Sequence, residues 1–155
     1  MHSVKILDCT LRDDGYYNNW DFSTNLSKNY LSTLAKTSVD VIEIGFRKPI
    51  TNNGSGPTGL KKIGKFLTSE EIFLSKLNIP KNKQISVMID LADYMGNDGY
   101  QKLKKNFNNS KNSVISMVRI ACNYSDKKDL KRIIKYLKGQ EYTVCANLMK
   151  FTIIL

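Results

Sequence analysis

The sequence predicts an α/β protein in which strands and helices alternate along the chain, so that the strands run parallel and the helices cover them. Three observations predict it. Five short runs rich in Val, Ile and other apolar residues start roughly 30 to 45 residues apart, the room that a crossover between parallel strands requires. The stretches between them show helical periodicity, clearest in Leu130, Ile133, Ile134 and Leu137. Polar and charged residues collect where the runs end, which is where α/β proteins keep their chemistry.

The first run, Val4, Ile6 and Leu7, reads as a buried strand. It empties without a linker into Asp8-Cys9-Thr10-Leu11-Arg12-Asp13-Asp14-Gly15-Tyr16-Tyr17. Arg12 beside Asp13 reads in two ways. The carboxylate can ligate a hard cation while the guanidinium stabilises negative charge, or the two can close a turn as a structural ion pair. After a polar turn over 18–22, Ser23 is the N-cap of a helix from Thr24 to Lys36 with Leu26, Tyr30, Leu31 and Leu34 on one face. Val39–Phe46 is the second strand and completes a βαβ unit.

A long loop spans Arg47 to Leu67 and contains G-x-G-x-x-G as Gly54-Ser55-Gly56-Pro57-Thr58-Gly59. A dinucleotide turn sits directly between a strand and a helix, whereas this motif lies well past its strand and carries a Pro. It reads as a flexible active-site loop. A short helix follows over Ser69–Leu77 with Glu70 and Glu71 in its first turn. Gln84–Asp90 is the third strand, and Asp98 starts a helix to about Phe107. The fourth strand, Val114–Ala121, is interrupted by Arg119. A charge inside a parallel strand is costly unless it is paired, so Arg119 points at a partner, a ligand or a water-filled mouth. Asp126 caps a last helix that Gly139 stops, and Tyr142–Met149 is the fifth strand.

Two architectures fit this order, a doubly wound open sheet and a (β/α)8 barrel. A barrel takes about 250 residues, so five strands in 155 residues make a little over half of one. The expectation is a single partial TIM-barrel domain over residues 1–155, truncated after strand five, whose exposed last strand self-associates. Hydrophobic and charged fractions of 41% and 25% suit a soluble globular chain, and no apolar run has membrane length. With no signal-peptide pattern at the start, the expected compartment is the cytoplasm. The net charge of +10 raises nucleic-acid binding as an alternative. However, Lys61-Lys62, Lys104-Lys105, Lys127-Lys128 and Lys131-Arg132 are dispersed and are not interleaved with aromatics. Cys9, Cys122 and Cys145 all fall in apolar runs and read as buried thiols.

The stretch Asp8–Gly15 resembles the D-x-T-L-R-D-G signature of the DRE-TIM metallolyases, a group that includes hydroxymethylglutaryl-CoA lyase and 4-hydroxy-2-oxovalerate aldolase. Ile42-Glu43-Ile44-Gly45-Phe46 is similar to their second strand, and Val118–Ala121 and Ala146–Met149 to their fourth and fifth. The resemblance implies a TIM barrel that makes or breaks a carbon–carbon bond through a metal-bound enolate, with a 2-oxo acid and an aldehyde as substrates. It implies Asp13 as a ligand of a divalent metal (Mg or Mn), Arg12 as the enolate-stabilising cation and Glu43 as the group that orients Arg12. Arg119 is the candidate contact for a substrate carboxylate. Tyr16 stands where related aldolases place a histidine base, and a tyrosine with a pKa of about 10 is suited to donating a hydrogen bond. Asp14 replaces the signature glycine, which matters if that position needs φ > 0. The paired histidine ligands of the group's late strand have no counterpart, the one histidine being His2. The resemblance therefore implies a lyase-type domain inactive as this chain, or a non-catalytic half-barrel that pairs with itself or a partner chain.

Overall fold

Five parallel strands lie side by side in chain order: β1 (Leu7–Asp8), β2 (Val41–Phe46), β3 (Gln84–Asp90), β4 (Met117–Cys122) and β5 (Thr143–Leu148). The computed structural model describes residues 4–49 and 63–149. Helices return the chain between strands: α1 (Thr10–Asp13), α2 (Gly15–Asn18), α3 (Thr24–Leu34), α4 (Glu71–Leu74), α5 (Gly96–Asn106) and α6 (Lys127–Gly139). Strand order without reversal is that of a barrel rather than a doubly wound sheet, and the sheet curls into an α/β half-barrel.

Alternation along β4 shows the two faces. Val118, Ile120 and Cys122 are buried, while Met117, Arg119 and Ala121 are half-buried on the concave side. The core is the helix-covered face, where Leu31, Leu34, Leu103, Ile133 and Leu137 meet Ile42, Ile44, Val87, Ile89 and Val118. Each such side chain stabilises the fold by ~1.5–3 kcal/mol on burial. No helix among the described residues is long and apolar enough to cross a membrane.

The elements depart from sequence expectation at their edges. β1 is only two residues long, and Val4 and Ile6 are 91% and 52% exposed, because among the described residues nothing pairs with or covers its outer side. The predicted N-cap holds, with Ser23 Oγ accepting from Leu26 N at 3.2 Å, but the helix stops at Leu34 and Leu26 is exposed. The helix expected over Ser69–Leu77 is a single turn. Glu71 accepts hydrogen bonds from Arg47 and Ser113. Gly139 is the last residue of α6 rather than its stop, and the left-handed residue beyond it is Glu141 (φ 66°). Of the three thiols only Cys122 is buried; Cys9 is half-buried and Cys145 exposed. The G-x-G-x-x-G over 54–59 and most of its proposed active-site loop lie outside the described residues.

Candidate active site at the strand ends

The signature leaves β1 as two consecutive helical turns, and three local features set their geometry. Asp8 accepts from the Thr10 backbone N–H (3.2 Å), the Thr10 hydroxyl (3.1 Å) and the Tyr30 hydroxyl (2.9 Å), which ties the turn to α3. Trp20, 2% exposed and at φ 57°, donates its indole N–H to the Arg12 carbonyl at 2.9 Å. A bulky residue in the left-handed region is strained, and that indole bond and burial hold it there. Gly15 is required because a Cβ would lie 2.0 Å from the Trp20 ring. Asp14, by contrast, has φ −65°, so its replacement of the signature glycine costs no backbone strain.

These turns aim Arg12 at Glu43 on the neighbouring strand. Arg12 Nε donates to Glu43 Oε1 at 2.9 Å, and its Nη1 pairs with Asp13. Arg119 reaches over β3 and donates through Nη1 to both Glu43 oxygens at 2.9 Å. Glu43 is fully buried between these guanidiniums, which supply the opposite charge that offsets the cost of burying a carboxylate. Burial alone would lower the Arg12 pKa, but the hydrogen bond and charge of Glu43, with Asp13, hold it above its ordinary value. Arg12 Nη2 makes no hydrogen bond among the described residues, which leaves a permanently charged donor beside Glu43.

Arg12, Glu43 and Arg119 therefore come together, and Asp13 adjoins them, about half-exposed. Tyr16 is 60% exposed and packs edge-on against Trp20 (4.8 Å between centroids). Partial burial and the Asp90 charge raise its pKa, against Arg12 and Lys48. At neutral pH it is a proton donor and not a base. Cys9 donates to Asp13 at 3.1 Å, and burial together with that carboxylate raises the thiol pKa.

A second charged group on the same mouth was not singled out from sequence. Lys48, just beyond β2, bonds Asp90 at the end of β3 and Asp93 (3.0 Å). Burial would lower its pKa, but these two carboxylates raise it. Arg12 Cζ and Lys48 Nζ stand 5.8 and 5.4 Å from the Phe46 ring centroid, so two cations share one aromatic wall. The available signal was a lysine and a carboxylate at adjacent strand ends.

The described residues do not fit a divalent metal by themselves. Asp13 has one oxygen on Arg12 and the other on Cys9, and among the described residues no three His, Cys, Asp or Glu side chains are placed to hold an ion.

Five parallel strands in barrel order, with charged side chains on the concave face and at the carboxyl ends, define an α/β half-barrel of the TIM-barrel kind. A crystal structure of the N-terminal domain of a putative aldolase from Bacteroides vulgatus superposes with TM-score 0.78 and 26% identity. The match covers 96% of this chain and 45% of that one, so this chain spans under half of its length. No family model matches the sequence, and no curated protein matches it.

Proposed function

We propose that this is a lyase-type domain of the DRE-TIM kind whose mouth binds a 2-oxo acid and stabilises its enolate in the making or breaking of a carbon–carbon bond. One observation carries the reading: Arg12 is held on a buried carboxylate that a second arginine also grips, with one terminal nitrogen left to face a ligand. A fixed guanidinium suits an oxygen that gains charge during reaction, since no reorganisation is needed. Arg119 contributes the carboxylate contact, and the Tyr16 hydroxyl donates a hydrogen bond. An aldehyde is the other substrate class. Related enzymes use Mg or Mn to chelate the 2-oxo acid; Asp13 is the residue that would hold it here, and among the described residues no group of three His, Cys, Asp or Glu stands ready to complete such a site.

The chain as it stands binds without turning over. Cys9, Tyr16 and Lys48 all have raised pKa values, so none of the three is a base at neutral pH. Calorimetric titration with oxalate, a planar analogue of the pyruvate enolate, tests the reading. Saturable binding that is lost in Arg12→Gln is expected. Absence of binding, or an Arg12→Gln variant that binds like the parent, sinks it.

A second reading, a half-barrel that pairs with another copy, draws on the exposure of Cys145, Ala146 and Leu148 along β5. Such an edge is a template for pairing. Sedimentation that stays monomeric across a wide concentration range would exclude it.

A further inference from the structure

The concave face carries a polar atom that the site above does not use. Ser86 on β3 is fully buried, and its hydroxyl has no hydrogen-bond partner. Strand alternation puts it on the same face of β3 as Gln84 and Met88. In register it stands between Glu43 on β2 and Met117 on β4. A buried hydroxyl left unpaired is costly, which points to a second arrangement in which it is bonded.

Arg119 supplies that arrangement. It holds both Glu43 oxygens through the single nitrogen Nη1, and its Nε and Nη2 make no hydrogen bond among the described residues. Two parallel N–H bonds are the strong way for a guanidinium to meet a carboxylate. A one-nitrogen fork is weaker and easier to leave. Arg12 Nε stays on Oε1 if Arg119 moves, so Glu43 keeps a cationic partner. The two donor nitrogens, each 2.9 Å from Oε1, lie within about 6 Å of one another, which lets a single 2-oxo acid meet both guanidiniums.

We propose that Arg119 has two stations, Glu43 and the carboxylate of a bound 2-oxo acid, and that the Ser86 hydroxyl donates to the Glu43 oxygen that Arg119 releases. The inference rests on the reading of the mouth as a 2-oxo acid site. Arg119 touches substrate, while Ser86 is a positioning residue that makes its departure inexpensive. Without a replacement donor, half of a buried carboxylate would be stranded.

Oxalate titration and thermal melting of the 155-residue chain and its variants test this. Ser86→Ala removes an unpaired hydroxyl, so it melts no lower than the parent without oxalate. It binds oxalate about tenfold more weakly, the loss of one hydrogen bond. Ser86→Thr keeps the hydroxyl and restores affinity. In the parent, oxalate shifts the Arg119 Nε–H resonance. Unchanged oxalate affinity in Ser86→Ala, a lowered melt in that variant, or an unmoved Arg119 resonance overturns the exchange. If Arg12→Gln still weakens oxalate in that case, the mouth reading survives. If the parent does not bind oxalate, both fall.

Discussion

Glu43→Gln separates an ion network from a mere cluster of charges. Glu43 accepts three hydrogen bonds from two guanidiniums, and the amide keeps one acceptor oxygen while turning an NH2 toward donors. Breaking a buried pair costs about 3–5 kcal/mol, mostly from the uncompensated charge left behind. The Arg12 and Arg119 side chains retain 13% and 17% exposure, so water recovers part of that cost and about 3 kcal/mol is expected. For a domain of this size the melting temperature falls by roughly 6–12 °C. Urea denaturation followed by circular dichroism gives the free energy directly. Arg119→Met costs less, because Glu43 retains Arg12. Replacing all three groups together, Arg12→Met, Glu43→Leu and Arg119→Met, restores most of the stability, since a packed apolar substitute matches a buried ion triad. A Glu43→Gln loss below about 1 kcal/mol would refute the argument, because exposed pairs are worth that little.

Gly15→Ala places a methyl 2.0 Å from the Trp20 ring, and the overpacking costs ~1–3 kcal/mol or more. A red shift of the single tryptophan's emission reports it, and unchanged emission refutes the contact. Folding raises the Lys48 pKa through Asp90 and Asp93. That stability is full below lysine's unfolded value of about 10.4 and is lost as pH rises through the folded one. Lys48→Gln therefore shows a shallower alkaline fall in stability than the parent in denaturation across pH 9–12. Iodoacetamide labelling at neutral pH, read by mass spectrometry, orders the thiols Cys145, Cys9, Cys122, because Cys145 is exposed, Cys9 is held up by burial and Asp13, and Cys122 is buried. Added Mg or Mn leaves the melting temperature unchanged, since Asp13 is committed to Arg12 and Cys9; a rise would show a ligand set beyond these contacts.

The strand order was legible because period and spacing are local properties: β3 falls at Gln84–Asp90 as read, and Ile133 and Leu137 of the helical stripe are buried. Burial was harder to read from the same letters. Val4 and Ile6 look like core and are exposed, because apolar character says what a side chain prefers and not whether another layer lies against it. The same holds for β5, where Cys145 and Leu148 are exposed. Glu141 at φ 66° was invisible for the opposite reason. Glycine marks where a left-handed residue is free of strain, and here the chain takes the turn two residues later.

The site shows where local reading ends. Arg12 and Glu43 could be matched by motif, but the fate of Arg119 depends on register across three strands. Ser86 faces Glu43, and Arg119 faces Met88, so Arg119 stands one pleat along from Ser86 and two strands from the carboxylate that it grips. An arginine is long enough to cross that gap, whereas a serine on the intervening strand is short enough to pass beneath it. Small on β3 and long on β4 is thus a single steric condition for the Arg12–Glu43–Arg119 chain. A bulky residue at position 86 would block Arg119 from Glu43 while leaving Arg12 in place. Ser86→Leu should therefore free Arg119, measured as a faster-exchanging Nε–H by NMR, with the Arg12–Glu43 bond intact; an Arg119 resonance unaffected by Leu at this position would show that its side chain takes another route.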